Sequence, residues 1–530
     1  MELLFHYSIG QLCLLHPFSL LLCFLLLFVF LFIRNNNRSV GTKKGNNPPP
    51  SPWKLPIIGN LHQLGSLPHR GLHSLAQSHG PLMLLHFGSK PTLVVSSPDA
   101  AREILKTHDL IFSSRPDSSF PRRLLYNHKD IAFAPYGEYW RQVRKICVLQ
   151  LLSMKSVQSF QPVREEETKA MIKNIQKSCS SLPSFSALVD LSEVLLSLTN
   201  DITCRVALGK KYGGEEGCGK RFKKMIDEFV YLLGVFNVGD FITWLGWVNY
   251  VIGLEERVEK NFAEIDSFLD QVIEDHIHGK RKKNGDHNDA DGGGQDFVDF
   301  LLRVQQDETA EITLGRDHLK GIIMDMFSAG TETTSTLLEW TMARLLKHPE
   351  VMNEVQKEIR RVASATGRAY IIEDDIEEMH YLKAVIKETL RLHPPGPLLI
   401  PRESTKDAKI KGYDIPAKTT VIINAWAIGR DPASWDDPEE FKPKRFCNDT
   451  SSIDFKGHDF QLIPFGAGRR GCPGTHFASA VVELALANLL HKFDWALPNG
   501  ANGDALDDTE APGLSCRLKS PLLAIATTYY

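Results

Sequence analysis

Residues 12–33 form an almost unbroken apolar stretch that no water-exposed fold can accommodate. As an α-helix these 22 residues would span about 33 Å, the thickness of one hydrocarbon core. A secretory signal peptide is the alternative, but its apolar region is usually shorter and follows basic residues. Here the basic residues Arg34, Arg38, Lys43 and Lys44 come after the stretch. The pattern therefore predicts an uncleaved anchor with a luminal N-terminus and a cytosolic body.

Three segments are expected along the chain. Residues 1–33 are predicted to be the luminal tip and a single N-terminal transmembrane helix. Residues 34–55 are predicted to be a basic and proline-rich hinge, and residues 56–530 to be one folded body. Consecutive prolines at 48–50 favour an extended, semi-rigid backbone, which would hold that body at a set angle to the membrane.

Composition excludes several classes of protein. Hydrophobic residues make up 43% of the chain and charged residues 24%, which is enough apolar content for a large core. The net charge is −3 and no segment is strongly basic, so the chain is not expected to bind nucleic acid. The nine cysteines include no CxxC pair, so neither a disulfide framework nor a zinc site is indicated.

The body is predicted to be mainly α-helical with a small β region. Short apolar runs at 82–87 and 92–96 predict strands. Apolar residues recur with the 3.6-residue period from about 313 to 346, which predicts one long helix, and a later helix is predicted from about 375 to 392. The polar, glycine-rich segment 279–295 is predicted to be an exposed loop.

Small and polar residues interrupt the middle of the long predicted helix, at Ala329-Gly-Thr-Glu-Thr-Thr334. Glycine lowers helix stability, and threonine hydroxyls can bond back to backbone carbonyls and bend a helix. The segment is therefore either a weakened, partly exposed turn or a kink at which a ligand approaches the backbone.

A glycine-rich loop near the C-terminus surrounds one cysteine, in Pro464-Phe-Gly-Ala-Gly-Arg-Arg-Gly-Cys-Pro-Gly474. A single thiol such as Cys472 can be a buried filler, a nucleophile or a metal ligand. A nucleophile needs a nearby base, and the first histidine after it is His476. Glycines allow close approach of the backbone, and N–H groups at a helix N-terminus stabilise a thiolate. Because arginines can also pair with the carboxylates of a planar cofactor, the pattern favours a thiolate ligand of heme iron.

The same loop resembles the heme-binding signature of the cytochromes P-450, Phe-x-x-Gly-x-Arg-x-Cys-x-Gly, at every fixed position. Other segments are similar to landmarks of that family, in the same order along the chain: Trp140-x-x-x-Arg144, Ala329–Thr334, Glu388-x-x-Arg391 and Phe441–Phe446. One departure is Pro443-Lys-Arg-Phe446, where the family usually has Pro-Glu-Arg-Phe. The resemblance covers essentially the whole chain and extends to the large plant A-type group of microsomal enzymes of specialised metabolism.

This resemblance implies the cytochrome P-450 fold and a heme b with an axial thiolate. It implies that Cys472 is the iron ligand and that Phe465 and Gly468 shape the loop around its sulfur. Side chains expected to bind the heme carboxylates are Arg470, Trp140, Arg144 and Arg402, with Arg115 as a further candidate. A structural charge cluster is expected from Glu388, Arg391 and Arg445.

The resemblance also assigns the catalytic and substrate-binding residues. Thr333 and Glu332 are expected to relay protons, as general acid–base chemistry requires. The substrate pocket is expected to include Phe133, Phe327, Ala329, Gly330, Leu398 and Leu399.

The activity implied is insertion of one oxygen atom from O2 into a small hydrophobic plant specialised metabolite: a terpenoid, an alkaloid, a coumarin or phenylpropanoid, or an oxime. The sequence has no Walker loop, no convincing Rossmann fingerprint and no appended flavin domain, so NADPH–cytochrome P-450 reductase is the implied electron donor. The implied location is the endoplasmic reticulum (ER) membrane, with a single span and a cytosolic catalytic domain. Ring closure, desaturation or C–C cleavage by the same chemistry remain open. Two further functions are compatible with a heme-thiolate protein, namely a non-oxygenating isomerase or dehydratase and a non-catalytic heme scaffold.

Overall fold

The computed structural model describes residue 22 and residues 47–182, 185–212, 218–283, 296–307, 312–447 and 453–529. Apart from Leu22, the predicted anchor at 12–33 lies outside the described residues, as does the first part of the predicted hinge, 34–46. Within the described ranges, no single helix has both the length and the apolar character needed to cross a bilayer. One pair of helices, Arg221–Phe241 and Thr243–Val251, meets both conditions together, but it is bent by 115°.

Helices form most of the body, as predicted. In chain order they are α1 (Pro68–His79), α2 (Pro98–Arg102), α3 (Ser119–Leu124), α4 (Glu138–Ile146), α5 (Met154–Ser159), α6 (Gln161–Ser180), α7 (Leu191–Leu208), α8 (Cys218–Gly234), α9 (Val238–Phe241), α10 (Trp247–Val251), α11 (Leu254–Lys283), α12 (Phe297–Gln306), α13 (Arg316–Lys347), α14 (Pro349–Thr366), α15 (His380–Leu392), α16 (Ala425–Ile428) and α17 (Thr475–Lys492).

In the described part of the chain, nine short strands form three small sheets. They are β1 (Leu82–Phe87), β2 (Lys90–Val95), β3 (Ser186–Asp190), β4 (Arg402–Glu403), β5 (Ala408–Ile410), β6 (Tyr413–Ile415), β7 (Thr420–Ile423), β8 (Phe493–Ala496) and β9 (Leu523–Thr528). The sheet orders are β1-β2-β7-β4, β3-β9-β8 and β5-β6. The prediction of a mainly α-helical fold with a small β region is confirmed.

Helix α13 is the central element of the core. Most of its side chains between Leu319 and Leu346 are buried, and it packs against α7, α14, α15 and α17. Its observed bounds, Arg316–Lys347, lie within three residues of the predicted 313–346. Long helices with a clear apolar period are the elements that sequence patterns locate best.

Two predicted boundaries were wrong. Residues 373–378 form a separate 3₁₀ turn, and α15 begins only at His380 because the Glu358 carboxylate accepts hydrogen bonds from the N–H groups of Tyr381 and Leu382, both at 2.9 Å. That carboxylate acts as a cap supplied by another helix. The predicted loop at 279–295 starts later than expected, because α11 continues to Lys283. Residues 284–295 lie outside the described residues.

The last part of the predicted hinge contacts the folded body. The carbonyl of Pro50 accepts a hydrogen bond from the Leu84 N–H at 2.9 Å, and the neighbouring Pro49 is buried. The Asn60 side chain donates to the Trp53 carbonyl at 3.1 Å, and the Asn47 N–H donates to Asp414 Oδ2 at 2.8 Å. The described part of this segment is therefore tied to the β region.

The predicted cluster of Glu388, Arg391 and Arg445 forms a buried ion network. Arg391 donates to both Glu388 oxygens, at 2.7 and 2.8 Å, and Arg445 Nε donates to Glu388 Oε1 at 3.0 Å. The Glu388 and Arg391 side chains are fully buried. Arg391 also donates to the carbonyls of Gly429 and Pro438, at 2.7 and 2.6 Å, so the network joins α15 to the segment that follows α16.

We expect Glu388→Gln to lower the free energy of unfolding by about 3–5 kcal/mol, because it leaves two guanidinium groups without their shared carboxylate. Denaturant unfolding followed by circular dichroism measures this loss. The matched control is Glu138→Gln, since Glu138 pairs with Arg141 at the same i,i+3 spacing but both side chains are more than half exposed. A loss for Glu388→Gln no larger than that of the control would contradict a structural role for the network.

Candidate active site

The loop at 464–474 owes its shape to its glycines. Gly466 and Gly468 have φ angles of +67° and +69°, in the region that favours glycine. A Cβ atom on Gly468 would lie 2.1 Å from the Leu105 carbonyl oxygen, so the backbone approach there admits no side chain. The Cys472 N–H donates to the Phe465 carbonyl at 2.8 Å, which closes the loop immediately before α17.

The Cys472 thiol lies deep within the protein, yet its surface is accessible to water. These two facts agree if the sulfur faces an internal space rather than the exterior. Burial raises the pKa of Cys472, whereas the Gly474 N–H, the positive charge of Arg144 and the Thr475 hydroxyl lower it. The last three groups are those that stabilise a thiolate.

The middle of α13 also has accessible surface. Ala329 is exposed, and Gly330, Glu332 and Thr333 are partly exposed, although the residues before and after this segment are buried. The Thr333 hydroxyl donates to the Ala329 carbonyl at 2.7 Å, which is the predicted bond back to the backbone. Because α13 runs through the core, accessible residues at its centre indicate an internal cavity along this turn.

Glu332 is the partly buried carboxylate of this segment. Burial raises its pKa, Asp227 of α8 adds to that effect, and Arg517 opposes it. A carboxyl group with a raised pKa holds its proton closer to neutral pH, which suits a proton donor. Glu332 immediately precedes Thr333 on α13 and has a raised pKa.

Four arginines come together near the cysteine loop. Arg115, Arg402 and Arg470 are buried and Arg144 is largely so. Burial, and then the charges of Arg402 and Arg144, lowers the pKa of Arg470 to about 9. Burial, and then Arg470 and Arg402, lowers the pKa of Arg115 well below its ordinary value. The arginines therefore repel one another.

Backbone carbonyls accept the hydrogen bonds of these arginines. The acceptors are Ser113, Ile131 and Ala134 for Arg470; Ala132, Ile400 and Pro401 for Arg115; Ala467 for Arg402; and Gly471 for Arg144. Arg402 Nη1 is buried without a hydrogen-bond partner among the described residues and lies 3.6 Å from Asp109 Oδ1. A buried cluster of cations that repel one another favours the binding of an anion. Two carboxylates of a heme suit such a cluster.

Trp140 and Phe465 occupy supporting positions. Trp140 is buried, its Nε1–H donates to the Ile131 carbonyl at 3.0 Å, and the Arg470 guanidinium lies 4.0 Å from the centre of its indole ring. The Phe465 ring packs against Phe455 with 5.3 Å between ring centres. The tryptophan therefore contacts Arg470 of the arginine cluster.

The predicted pocket residues differ in accessibility. Phe133, Leu398 and Leu399 are partly buried. Phe327 is almost fully buried, and its ring packs against Phe222 with 5.2 Å between ring centres. Phe327 thus belongs to the core between α13 and α8.

Two buried carboxylates were missing from the sequence-based site, Asp130 and Asp325. Asp325 Oδ2 accepts the N–H groups of Ile131 and Ala132, at 2.5 and 3.0 Å. Asp130 Oδ2 accepts the Phe133 N–H at 2.6 Å. A signal for Asp325 was available, since it is a lone charge in the apolar run Ile322-Ile-Met-Asp-Met-Phe327 of the predicted helix.

A second cysteine, Cys516, lies in a different group of possible ligands. Its Sγ, His69 Nε2 and a Glu510 carboxylate oxygen lie within 4.8 Å of one another, and all three residues are buried. Burial, followed by the negative charge of Glu510, raises the pKa of Cys516 to about 12. Arg70 Nε donates to Glu510 at 2.6 Å, so that carboxylate already has a cationic partner.

Comparison with known proteins identifies the family. The profile of the family described as "Cytochrome P450" matches residues 48–522. Cytochrome P450 736A117 of Prunus mume is 55% identical over 515 residues, covering 97% of this chain and 96% of the relative. Cytochrome P450 71A4 of Solanum melongena is 53% identical, covering 96% and 98%. Norfluorocurarine oxidase of Strychnos is 50% identical, covering 95% and 96%.

The fold agrees with this result. A zebra fish cytochrome P450 solved with progesterone has a TM-score of 0.72 and 26% identity, covering 87% of this chain and 99% of that one. The same family uses heme with a cysteine thiolate, O2, a redox-partner reductase and a hydrophobic substrate. This chain belongs to the plant cytochromes P450 and is a heme-thiolate monooxygenase.

Proposed function

We propose that this protein is an ER-bound, NADPH-dependent monooxygenase in which Cys472 is the thiolate ligand. In this proposal it inserts one oxygen atom into a small hydrophobic plant specialised metabolite. The observation that carries the proposal is the arrangement around Cys472: thiolate-stabilising groups beside four clustered guanidinium groups that call for an anion. Heme bound through a thiolate supplies the activation of dioxygen. The residues of this chain hold the cofactor, shape the pocket and move protons.

Cys472 suits the ligand role better than Cys516. Its neighbours Gly474, Arg144 and Thr475 all favour the charged sulfur, whereas Glu510 disfavours a charged Cys516. The Cys516 carbonyl accepts the Trp340 Nε1–H at 2.7 Å, and its own N–H donates to the Pro395 carbonyl at 2.8 Å, so its backbone is fixed in the core. The arginine cluster that would hold the heme carboxylates contacts the Cys472 loop through Ala467 and Gly471.

The two cysteines give a direct prediction. Cys472→Ser is expected to abolish the long-wavelength Soret band that thiolate-bound heme gives with carbon monoxide after reduction, because the axial sulfur is lost. Cys516→Ser is the matched control and is expected to keep that band. Absorbance spectra of the two purified variants make the measurement. The opposite result would make Cys516 the ligand.

Thr333 and Glu332 are proposed to deliver protons toward dioxygen. The Thr333 hydroxyl is partly exposed on the accessible turn of α13, and Glu332 precedes it with a raised pKa. Ala329 and Gly330 expose the backbone of the same turn. The hydroxyl can leave the Ala329 carbonyl, accept a proton that Glu332 supplies through water, and pass one on.

We expect Thr333→Val to lower product formation by about 100-fold, the size of a lost general-acid contribution, while NADPH consumption continues. The ratio of product to NADPH consumed is the measurement, because it separates proton delivery from electron supply. Thr341→Val is the matched control, since the Thr341 hydroxyl makes the same bond to Leu337, at 2.7 Å, on the buried part of α13. An unchanged product-to-NADPH ratio for Thr333→Val would contradict the relay.

The substrate class is proposed from the pocket and one relative. Phe133, Leu398 and Leu399 are apolar and partly buried, which suits a small hydrophobic molecule. Among terpenoids, alkaloids, coumarins or phenylpropanoids, and oximes, the name of norfluorocurarine oxidase favours the oxidation of an alkaloid. Hydroxylation and epoxidation are the outcomes proposed first, and ring closure, desaturation or C–C cleavage come second.

The proposed arrangement has residues 1–33 as luminal tip and anchor, 34–55 as hinge and 56–530 as a cytosolic heme-binding catalytic domain. Exposed aromatic and aliphatic side chains near the bent helix pair support contact with a membrane surface: Tyr231, Phe236, Trp244, Trp247, Tyr250, Val251 and Ile252. Tryptophan and tyrosine favour the interface between water and lipid. NADPH–cytochrome P-450 reductase in the same membrane is the proposed electron donor.

The test is turnover in membranes that contain the full chain and a plant NADPH-dependent reductase. An alkaloid panel is supplied first, followed by terpenoid, phenolic and oxime panels, and products are followed by mass spectrometry with Cys472→Ala as the control. A product one oxygen heavier, dependent on NADPH and absent from the control, would establish the proposed reaction. Loss of two hydrogens would identify ring closure or desaturation.

The same experiment distinguishes the two functions that lack oxygen insertion. Conversion of a hydroperoxide without NADPH would identify an isomerase or dehydratase. A thiolate-bound heme with no turnover on any panel would favour a scaffold. Either result would overturn the proposed reaction without changing the family.

A further inference from the structure

Helix α13 carries a ridge of residues spaced four apart: Asp317, Gly321, Asp325, Ala329 and Thr333. Neighbouring members of such a ridge lie one turn apart on adjoining parts of the helix surface. Ala329 and Thr333 belong to the proposed oxygen-activating turn. Asp317, Gly321 and Asp325 contact the loop between α3 and α4, residues 125–137, which is named here the α3–α4 loop.

The loop backbone lies directly on the helix. A Cβ atom on Gly321 would be 2.6 Å from the Lys129 carbonyl oxygen, so only glycine permits this approach. One turn further along α13, Asp325 Oδ2 accepts the N–H groups of Ile131 and Ala132, at 2.5 and 3.0 Å. One buried carboxylate oxygen thus holds two consecutive peptide groups of the loop.

The α3–α4 loop has a backbone conformation that contacts with the rest of the protein must hold in place. Tyr126, Asn127 and His128 have φ angles of +53°, +59° and +60°, three consecutive non-glycine residues in the left-handed region. L-residues adopt that region only when their surroundings determine it. The contacts at Gly321 and Asp325 follow immediately in the chain and supply those surroundings.

A second carboxylate belongs to the same turn. Asp130 is fully buried, and its Oδ2 accepts the Phe133 N–H at 2.6 Å. Its Oδ1 receives no hydrogen bond from any residue that the structure describes. Asp130 and Asp325 therefore bind three consecutive N–H groups, those of 131–133. Burial, and then the charge of Asp130, disfavours ionisation of Asp325.

The turn at 130–133 holds side chains of the arginine cluster. The Ile131 carbonyl accepts hydrogen bonds from Trp140 Nε1 and Arg470 Nη1, at 3.0 and 3.1 Å. The Ala132 carbonyl accepts one from Arg115 Nε at 2.7 Å. A shift of this turn would therefore move the partners of three side chains that are proposed to face the heme carboxylates.

We propose that Asp325 is a positioning residue: its carboxyl group fixes the turn at 130–133 on α13 and so aligns Trp140, Arg115 and Arg470. Its consequence for heme binding rests on the proposed function of those three side chains. The attachment of the loop to α13 does not depend on that function and is measured separately.

The groups around this pair determine its pH dependence. Asp130 faces His128, Arg115 and Arg470, and Asp325 faces Asp130, Arg115, Tyr139 and Cys147. Burial raises the pKa of Asp130 to about 6 and raises the pKa of Asp325 further. Burial raises the pKa of the Tyr139 phenol and of the Cys147 thiol, and it lowers the pKa of the His128 imidazole. All three groups are therefore neutral between pH 7 and 8.

The direction of the pH effect follows from these raised pKa values. Both carboxyl groups hold protons more tightly in the folded protein than in an open loop. The attachment is therefore strongest at low pH and weakens as pH rises through the folded-state pKa values. Loss of the protons from both carboxyl groups leaves two buried negative charges on the same turn.

Hydrogen–deuterium exchange on the full-length heme-loaded protein tests the proposal. Asp325→Leu is expected to speed the exchange of the amides of 131 and 132 by at least about tenfold, because it removes the acceptor of both N–H groups. Heme loss during gel filtration is expected to increase in parallel. Asp317→Leu is the matched control, because Asp317 lies on the same ridge but pairs only with the exposed side chain of Lys129, at 2.9 Å.

Exchange at 131–132 in Asp325→Leu that stays within about twofold of the control would overturn the positioning role. If Asp325→Leu does not fold, Asp325→Asn decides the question, since its amide oxygen can still accept both N–H groups but cannot titrate. Protection of these amides, corrected for intrinsic exchange, is expected to fall between pH 6 and 8 in the unmodified protein and to fall less in Asp325→Asn. Equal pH dependence in the two proteins would overturn the role of the Asp325 carboxyl group. Faster exchange without greater heme loss would retain the attachment and contradict the alignment of the arginine cluster.

Discussion

The region around Cys472 is organised by buried arginines, whose positive charges repel one another and need hydrogen-bond acceptors. Arg115, Arg402 and Arg470 are buried, and Arg144 largely so, and their hydrogen bonds go mainly to backbone carbonyls from distant parts of the chain. Those carbonyls come from the α3–α4 loop, from the segment before β4 and from the cysteine loop. Carbonyl dipoles reduce the cost of burying the cations but do not neutralise them. The hydrogen bonds of the arginines therefore draw these segments together, and the charge that remains suits the dianionic cofactor proposed to bind there.

Helix α13 connects this charge cluster to the proposed site of oxygen chemistry. At one end of its ridge Gly321 and Asp325 hold the α3–α4 loop, and one to two turns further on Ala329 and Thr333 present accessible surface. A helix buried on nearly all sides has few ways to bend, so groups attached to the same helix keep a constant separation. The α3–α4 loop and the proposed proton relay are therefore both attached to the same rigid helix.

Local patterns located much of the site. The glycines at 466 and 468 adopt the positive φ angles that a tight loop requires, and Cys472 follows at the spacing that its signature predicts. The Thr333 hydroxyl makes the bond to the backbone that its helical position allows. Such features depend on residues only a few positions apart. By contrast, the start of α15 was misplaced because its cap, Glu358, comes from the preceding helix.

The sequence by itself determined the cysteine loop, the long central helix and the paired Glu388 and Arg391, because each is encoded by short-range spacing. Only the tertiary structure decided that Asp130 and Asp325 bind the same turn and that Phe327 packs in the core. Those outcomes depend on which distant segments share a buried environment. Burial changes the cost of a charge and the need for a partner, and residues far apart in the chain set that burial.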